Sequence, residues 1–191
     1  VLRLDTETKP LSQDSGLLVG FDGLAQVAAD IKVIVIGDYG KGAMTQAVMD
    51  RLRHFAAEHG IPIFVDARPE CMHLYQGVSL LKPNMREALG MLENEVHPGL
   101  AIESERAYCA ASLIRAKYEC GIAFVTDGPN GCAYTDPLDE NRPHGLDAFG
   151  PHGVDVVRDI CGAGDTTMAA LAVGLMEGKD IAISALFAMQ A

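Results

Sequence analysis

Two glycines, an alanine and an aspartate stand together where the chain is suited to chemistry on a phosphate. Gly162, Ala163, Gly164 and Asp165 open an alanine-rich stretch with helical character. Glycines allow a tight turn and close approach of the backbone to a ligand. The free N–H groups at a helix start favour an anion. A carboxylate there could accept a proton from a hydroxyl while the amides stabilise charge on a transferring phosphoryl group.

The plain structural alternative for this segment is a glycine turn whose aspartate caps a helix. Two better-known nucleotide motifs are excluded. The turn has no third glycine, because Thr167 occupies that position, so it is not a dinucleotide-binding fingerprint. The spacing from Gly37 to Gly42 resembles a P-loop, but Ala43 follows where that motif needs lysine.

The elements that must position these residues alternate along the chain. Short apolar runs predict strands, and longer stretches with helical spacing predict helices. We predict strands at residues 32–36, 61–65, 78–81, 122–126, 131–135 and 154–157, and helices at 43–59, 85–92, 104–119, 163–176 and 180–191. Residues 127–130 form a turn, and residues 136–153 form a loop or an irregular hairpin. This alternation predicts an α/β fold with a mostly parallel sheet covered on both faces.

Polar side chains follow the predicted strands at the points where each strand ends. They are Asp38, Asp66, residues 82–84, Thr126 and Asp127. Ligands of open parallel sheets bind beyond the carboxyl ends of the strands. The sequence therefore places a binding site at this edge of the sheet.

Composition limits the classes of partner. The chain has 191 residues and a formal net charge of −11, which argues against a protein that binds nucleic acid through the phosphate backbone. No apolar run reaches the roughly 18 residues that a membrane helix needs. The five cysteines show no zinc spacing and no CxxC pair. Reduced thiols in a cytoplasmic protein are therefore expected.

Four ordered segments together carry a resemblance to the pfkB, or ribokinase-like, family of carbohydrate kinases. Residues 159–172 resemble the C-terminal signature of that family, with Ile160 as a departure. Residues 38–42, with sequence DYGKG, resemble the turn after a central strand. Residues 82–87 resemble its P-N-x-x-E segment, and residues 126–131 its T-x-G-x-x-G turn. The resemblance implies a three-layer α/β/α fold and ATP-dependent phosphorylation of a sugar hydroxyl.

The resemblance also implies roles for single residues. Asp165 would deprotonate the sugar hydroxyl, and the anion hole would be formed by Gly162, Ala163 and Gly164. Asn84 and Glu87 would lie near the triphosphate and organise Mg²⁺, with Glu87 acting through water. A helix cap with a capping box is the structural alternative for this pair, and both roles can hold together.

The nucleotide groove is the second region for which the resemblance implies residues. Met85 and Arg86 would lie beside ATP, and Thr126, Gly128 and Gly131 would line the groove. The structural alternative for the last three is an ordinary hairpin turn.

Within the family, the sequence resembles most the kinases that phosphorylate D-glycero-D-manno-heptose 7-phosphate at O1 in ADP-heptose and lipopolysaccharide precursor synthesis. The residues that carry this are those at 2–7 and 38–42, and Arg68, which stands where those enzymes often have a cation. The resemblance implies that Asp38, Lys41 and Arg68 contact the substrate, Arg68 as a bidentate donor to a sugar phosphate. Kinases of ribose, fructose, ketodeoxygluconate or adenosine remain open, as does a non-catalytic nucleotide-binding module.

The chain reads as one partial sugar-kinase domain over residues 1–191. The resemblance implies a fragment that lacks the family's N-terminal lid and part of its C-terminus, and a homodimer is the expected assembly of the full-length protein. A metal site at His144, Asp147 and His152 is not expected, because these residues fall in a glycine- and proline-rich loop without ligand spacing.

Overall fold

The computed structural model describes residues 21–93, 103–136, 139–146 and 162–190. Over these residues the centre is a sheet of six strands whose spatial order is the same as their order in the chain. Strands β1 to β4 are parallel, and β5 and β6 pair antiparallel to their predecessors. The strands are β1 (Ile34–Asp38), β2 (Ile63–Ala67), β3 (Leu80–Leu81), β4 (Ile122–Thr126), β5 (Cys132–Asp136) and β6 (Asp139–Leu146).

Six α-helices accompany the sheet in the described part of the chain. Their bounds are α1 (Phe21–Val27), α2 (Gln46–His59), α3 (Met85–Met91), α4 (Glu103–Tyr118), α5 (Ala163–Met176) and α6 (Ile181–Gln190). Short 3₁₀ turns cover Ala28–Asp30, Pro69–Leu74 and Gly128–Asn130. Helix α2 connects β1 to β2, whereas α3 and α4 lie between β3 and β4.

The helices cover both faces of the sheet, because successive strand residues point to opposite sides. On one face, buried strand residues pack with α2, α3 and α4, and on the other they pack with α5 and α6. The first set includes Val65, Leu81 and Val125, and the second includes Phe64, Leu80 and Phe124. This arrangement confirms the predicted three-layer α/β/α fold.

Local signals set several boundaries as predicted. Helix α2 ends at Gly60, which has a left-handed backbone with φ of 67°. Helix α3 begins after Asn84, whose side chain accepts a hydrogen bond from the Glu87 amide. The first three strands start two residues later than the apolar runs predict. Pairing explains the shift, since the ladder between β1 and β2 continues to Asp38 and Ala67.

The predicted irregular hairpin is confirmed where it can be compared. Strand β6 pairs with β5, and the register shifts between Thr135 and Asp136. Helix α1 and the 3₁₀ turn Pro69–Leu74 were not predicted. The predicted strand at 154–157, the resemblance at residues 2–7, Asp147 and His152 lie outside the described residues. Within the described ranges, no helix is both long enough and apolar enough to cross a bilayer.

Candidate functional site

A cavity of about 340 Å³ opens where the carboxyl ends of the parallel strands meet the start of α5. The predicted site residues that line it are Asp38, Arg68, Asn84, Glu87, Thr126, Gly162, Gly164 and Asp165. Gly37, Tyr39, Asp66, Ala67 and Lys82 complete its lining. The fold therefore brings together polar residues at the ends of four strands and at the starts of two helices, α3 and α5, as expected for a parallel sheet.

The remaining predicted residues lie elsewhere. Lys41 lines a second, mostly apolar cavity of about 410 Å³ beside β1. Met85, Arg86, Ala163, Gly128 and Gly131 are not among the residues that line the first cavity. Met85 is partly buried against the core on the α2 face of the sheet, which places its side chain in packing.

Asp165 stands in the first turn of α5, at the end where a helix presents free N–H groups. Gly162 precedes the helix with φ of 85°, a left-handed conformation that glycine adopts without strain. Among the described residues, no side chain caps this end of α5. Thr166 and Thr167 direct their hydroxyls to the carbonyls of Gly162 and Ala163 at 3.0 and 2.7 Å. The geometry suits an anion held by the first turn of α5.

Tyr39 connects the loop after β1 to the first turn of α5. Its hydroxyl donates to Asp165, lying 2.9 Å from Oδ1 and 3.0 Å from Oδ2. This hydrogen bond raises the pKa of the Tyr39 phenol, with partial burial and the charges of Asp165 and Asp66 adding to the effect. The carboxylate of Asp165 therefore already accepts a hydrogen bond from a hydroxyl group, that of Tyr39.

An ion pair lies beneath the glycine turn. Lys82 Nζ is 2.7 Å from Asp66 Oδ2, and the Lys82 side chain is only 3% exposed. A Cβ on Gly164 would lie 3.4 Å from Lys82 Nζ and 3.5 Å from Asp66 Oδ2. The turn before Asp165 thus rests directly on a buried ammonium group that is paired with a carboxylate.

Asp38 is buried, with only 7% of its surface exposed. Its Oδ1 accepts the Gly40 amide at 2.9 Å, and its Oδ2 accepts the Tyr75 hydroxyl at 2.6 Å. Burial and this bond raise the pKa of Tyr75. Burial, together with Asp38, raises the pKa of Cys71 to about 11. Asp38 therefore fixes the loop after β1 and presents only its remaining lone pairs to the cavity.

Asn84 and Glu87 form the predicted capping box. The Asn84 amide donates to Glu87 Oε2, and the Glu87 amide donates to Asn84 Oδ1, both at 2.9 Å. Asn84 also pairs with Thr126 through an isolated parallel bridge. The same two residues thus cap helix α3 and line the cavity.

Asn84 and Glu87 fit a magnesium ion that keeps most of its water ligands. Among the described residues, no three His, Cys, Asp or Glu side chains cluster as a metal cage. Glu87 keeps one carboxylate oxygen outside the capping box, and it lines the cavity with Asn84. One carboxylate with an amide beside it fits Mg²⁺, which retains water and binds phosphate oxygens.

The turn from β4 to β5 is built on two glycines with positive φ, Gly128 at 52° and Gly131 at 94°. The Asp127 amide donates to the Gly131 carbonyl at 2.8 Å, which closes the turn. This segment is therefore a hairpin turn, because the strands that it joins, β4 and β5, are antiparallel. Thr126, at the end of β4, is the member of this segment that lines the cavity.

Sequence reasoning assigned no individual role to Tyr39, Lys82 or Asp66. For Asp66 and Lys82 a signal existed, since they follow the cores of neighbouring parallel strands and have opposite charges. Tyr39 had no comparable signal, because its partner Asp165 lies 126 residues away in the chain.

Residues 20–191 match the family model described as pfkB family carbohydrate kinase. Curated relatives are similar over nearly the whole chain. The Bifunctional protein HldE of Stutzerimonas stutzeri is 33% identical over 183 residues, which are 95% of this chain and 35% of that protein. A protein of the same name from Citrifermentans bemidjiense is 32% identical over 97% of this chain and 36% of its own length. The chain therefore spans about a third of the curated relatives that it matches.

Solved structures share the fold at lower identity. Phosphofructokinase-2 from Escherichia coli, in complex with substrates and products, superposes with a TM-score of 0.70 at 20% identity, covering 98% of this chain and 58% of that one. Adenosine kinase from Schistosoma mansoni, in complex with 2-fluoroadenosine, gives a TM-score of 0.68 at 19% identity, over 93% and 54% of the two chains.

Proposed function

The chain belongs to the pfkB family of carbohydrate kinases, and from this we propose that it transfers the terminal phosphoryl group of ATP to a sugar hydroxyl, with Asp165 as the base. The observation that carries the proposal is the hydrogen bond from the Tyr39 hydroxyl to Asp165. It places an O–H donor on a carboxylate at the start of α5, which is the geometry that a base needs toward an acceptor hydroxyl.

Asp165 has two tasks in the proposed reaction. Its carboxylate orients the acceptor hydroxyl by accepting its hydrogen bond, and it takes the proton as the oxygen attacks phosphorus. The backbone amides of residues 162–164 stabilise the negative charge on the phosphoryl group during transfer. Lys82 lies below Gly164 as one half of an ion pair with Asp66, so the pair holds the turn in place without adding net charge to the site.

ATP supplies the phosphoryl group, and Mg²⁺ offsets the charge of its phosphates. Asn84 and Glu87 are the residues that would hold the ion, Glu87 through its free carboxylate oxygen and through water. Thr126 lies next to them and would line the nucleotide side of the cavity. We propose that Met85, Arg86, Gly128 and Gly131 contribute to the nucleotide site through backbone shape, since they lie outside the cavity lining.

We propose D-glycero-D-manno-heptose 7-phosphate, phosphorylated at O1, as the acceptor. The sequence resemblance of residues 38–42 to heptose kinases supports this choice. Arg68 supports it too, because its side chain lines the cavity, is half exposed and could bind a sugar phosphate. Asp38 would accept a sugar hydroxyl through its remaining lone pairs. Lys41 would serve from the neighbouring cavity rather than from the site itself.

The test is ADP production by the full-length protein with Mg-ATP and a panel of acceptors. The panel contains the heptose 7-phosphate, ribose, fructose, ketodeoxygluconate and adenosine. Asp165→Asn should lower kcat by a factor of about 10² to 10⁴, because the amide cannot accept the proton. Asp180→Asn is the matched control. Asp180 caps α6 by accepting the Ile183 amide at 2.7 Å, and asparagine caps a helix equally well.

Each outcome decides one level of the proposal. Turnover of the heptose 7-phosphate that depends on Asp165 supports both reaction and acceptor. Turnover of another sugar retains the reaction and excludes the heptose. No turnover with any acceptor, or unchanged turnover in Asp165→Asn, excludes the catalytic proposal and leaves a binding module.

A further inference from the structure

The proposed reaction gives no role to Tyr39, although its hydroxyl is hydrogen-bonded to Asp165, the proposed base. The phenol has one proton and lies at nearly equal distances, 2.9 and 3.0 Å, from the two oxygens of Asp165. A hydroxyl at such a point lies close to the plane that bisects the carboxylate. It therefore takes up lone pairs of both oxygens at once and leaves fewer for another hydroxyl.

The backbone that carries Tyr39 is held firmly on both sides. The Asp38 carbonyl accepts the Arg68 amide at 3.2 Å, and the Asp38 carboxylate accepts the Gly40 amide and the Tyr75 hydroxyl. Gly40 itself has φ of 71°, which fixes the turn in a conformation that favours glycine. The contact of Tyr39 with Asp165 is therefore set by a rigid loop and the rotation of one side chain.

The Tyr39 side chain has space in which to rotate. The residue is 52% exposed, and it lines both the site cavity and the second cavity of about 410 Å³ beside β1. Tyr39 thus borders both cavities. A rotation toward the second cavity would release Asp165 without any movement of the backbone.

We propose that the Tyr39 hydroxyl holds the place of the acceptor hydroxyl on Asp165 while the site is empty, and that the sugar displaces it on binding. The inference rests on the proposed function, because it assumes that the ligand of Asp165 is a hydroxyl. Exchange of one O–H donor for another keeps the carboxylate satisfied and aligned throughout. Tyr39 is thus a positioning residue that favours acceptors able to present a hydroxyl at the same point.

The proposal has a kinetic signature. Displacing Tyr39 reduces the apparent affinity for the acceptor, because only the fraction of molecules with a released carboxylate can bind it. Tyr39→Phe removes the competing hydroxyl and keeps the ring. We expect KM for the acceptor to fall by about three- to tenfold, the size of one typical hydrogen bond. Neither kcat nor KM for ATP should change more than about twofold.

Tyr118→Phe is the matched control for the loss of one phenol hydroxyl. Tyr118 donates to the Met91 carbonyl at 3.3 Å, on α4 and away from the cavity. This variant should leave all three kinetic constants unchanged. A merely structural role for Tyr39 would lower kcat and raise both KM values together, which separates it from the proposed exchange.

A second measurement does not depend on turnover. These 191 residues contain five tyrosines and no tryptophan, so the fluorescence of this part of the protein comes from phenols. A carboxylate acceptor quenches a phenol, so emission should rise when a sugar releases Tyr39. Heptose 7-phosphate, fructose 6-phosphate and ribose are the probes, without ATP. The rise is expected in wild-type protein and in Tyr118→Phe, and it should be missing in Tyr39→Phe.

The two readouts separate this inference from the proposed function. Turnover without any emission change that depends on Tyr39, or with a raised acceptor KM in Tyr39→Phe, overturns the exchange and leaves the kinase proposal intact. An emission change that depends on Tyr39 but no turnover supports the exchange and excludes the kinase. No emission change with any probe and no turnover overturns both.

Discussion

Lys82 and Asp66 illustrate how a single pair of residues can support a site without touching the reacting atoms. The ammonium group is almost fully buried and the carboxylate is 22% exposed, at a separation of 2.7 Å. Burial of two charges is costly, and their attraction offsets this only while both are present. The pair is therefore more important for holding the glycine turn than for adding net stability.

Lys82→Met should destabilise the protein by about 2–3 kcal/mol, because it leaves Asp66 as a partly buried charge without its partner. Urea unfolding at pH 7 measures the loss. Glu70→Gln is the control, since it removes an exposed ion pair with Arg68 at 4.0 Å and should cost less than about 0.5 kcal/mol. Equal losses in the two variants would show that the Lys82 pair is solvated like the surface pair.

At this scale the sequence predicted part of the site. Asp165 was named from the local glycine turn, and Asn84, Glu87 and Thr126 from the resemblance of residues 82–87 and 126–131 to family motifs; all four line the cavity. The contact of Tyr39 with Asp165 could not be found in this way. It depends on the relative position of β1 and α5, which is a property of the assembled sheet.

At the scale of elements, the close packing of α5 on α6 depends on one glycine. A Cβ on Gly174 would lie 2.7 Å from Ser184 Oγ and 3.2 Å from Ser184 Cα. Ser184 cannot easily yield, because it is fully buried and its hydroxyl donates to the Asp180 carbonyl at 2.8 Å. The two helices therefore leave no room for a side chain at position 174.

Gly174→Ala should destabilise the protein by about 1–3 kcal/mol, as other substitutions that overpack a core do. Thermal unfolding gives the comparison with Gly23→Ala in α1, where no atom lies within 4 Å of the added Cβ. That control should be neutral or stabilising by up to about 1 kcal/mol, because alanine favours helix. A neutral Gly174→Ala would mean that α6 can shift away from α5.

Two substitutions of Asn84 can separate its role in capping α3 from its proposed role near the phosphates. Asn84→Ala should cost about 1 kcal/mol, since the Glu87 amide loses its acceptor. Asn84→Asp keeps the acceptor, so stability should stay within about 0.5 kcal/mol. Its added negative charge should still raise KM for Mg-ATP severalfold. Unfolding and steady-state kinetics on both variants check this, and an unchanged KM in Asn84→Asp would place Asn84 away from the phosphates.

Elements were more predictable than their ends. Helices α2, α4 and α5 follow from periodicity and from Gly60, whereas β1 was placed two residues early. Gly37 and Asp38 are poor strand formers, and only pairing with Asp66 and Ala67 includes them in the sheet. Helix α1 has no cap signal strong enough to predict it from sequence alone.

At the scale of the whole molecule, stability depends on groups that the fold keeps protonated. Burial raises the pKa of the Cys120 thiol from 9.0 to about 12, and it raises those of Cys71 and Tyr75 as well. A raised pKa means that the folded state binds the proton more tightly than the unfolded chain. The contribution is therefore complete below pH 9 and is lost as pH rises toward 12.

We expect the free energy of unfolding to decrease from about pH 9 upward. The difference between wild type and Cys120→Ala should shrink by about 1 kcal/mol per pH unit over that range, because one titrating group has been removed. Urea unfolding between about pH 8.5 and 10.5 measures it, with Cys109→Ala at an exposed position as a second thiol variant. Parallel curves for wild type and Cys120→Ala would contradict the expected linkage.

The order of strands in the sheet also has a consequence for synthesis. Within the described residues, each strand after β1 pairs with the strand that precedes it in the chain, so its partner has already left the ribosome when it emerges. Short separations between partners keep the entropy cost of loop closure low. The contact between Tyr39 and Asp165 spans 126 residues and closes only when α5 arrives. The sheet can therefore grow from β1 onward while the chain is being made, and the cavity between the strand ends and α5 is completed only after β4.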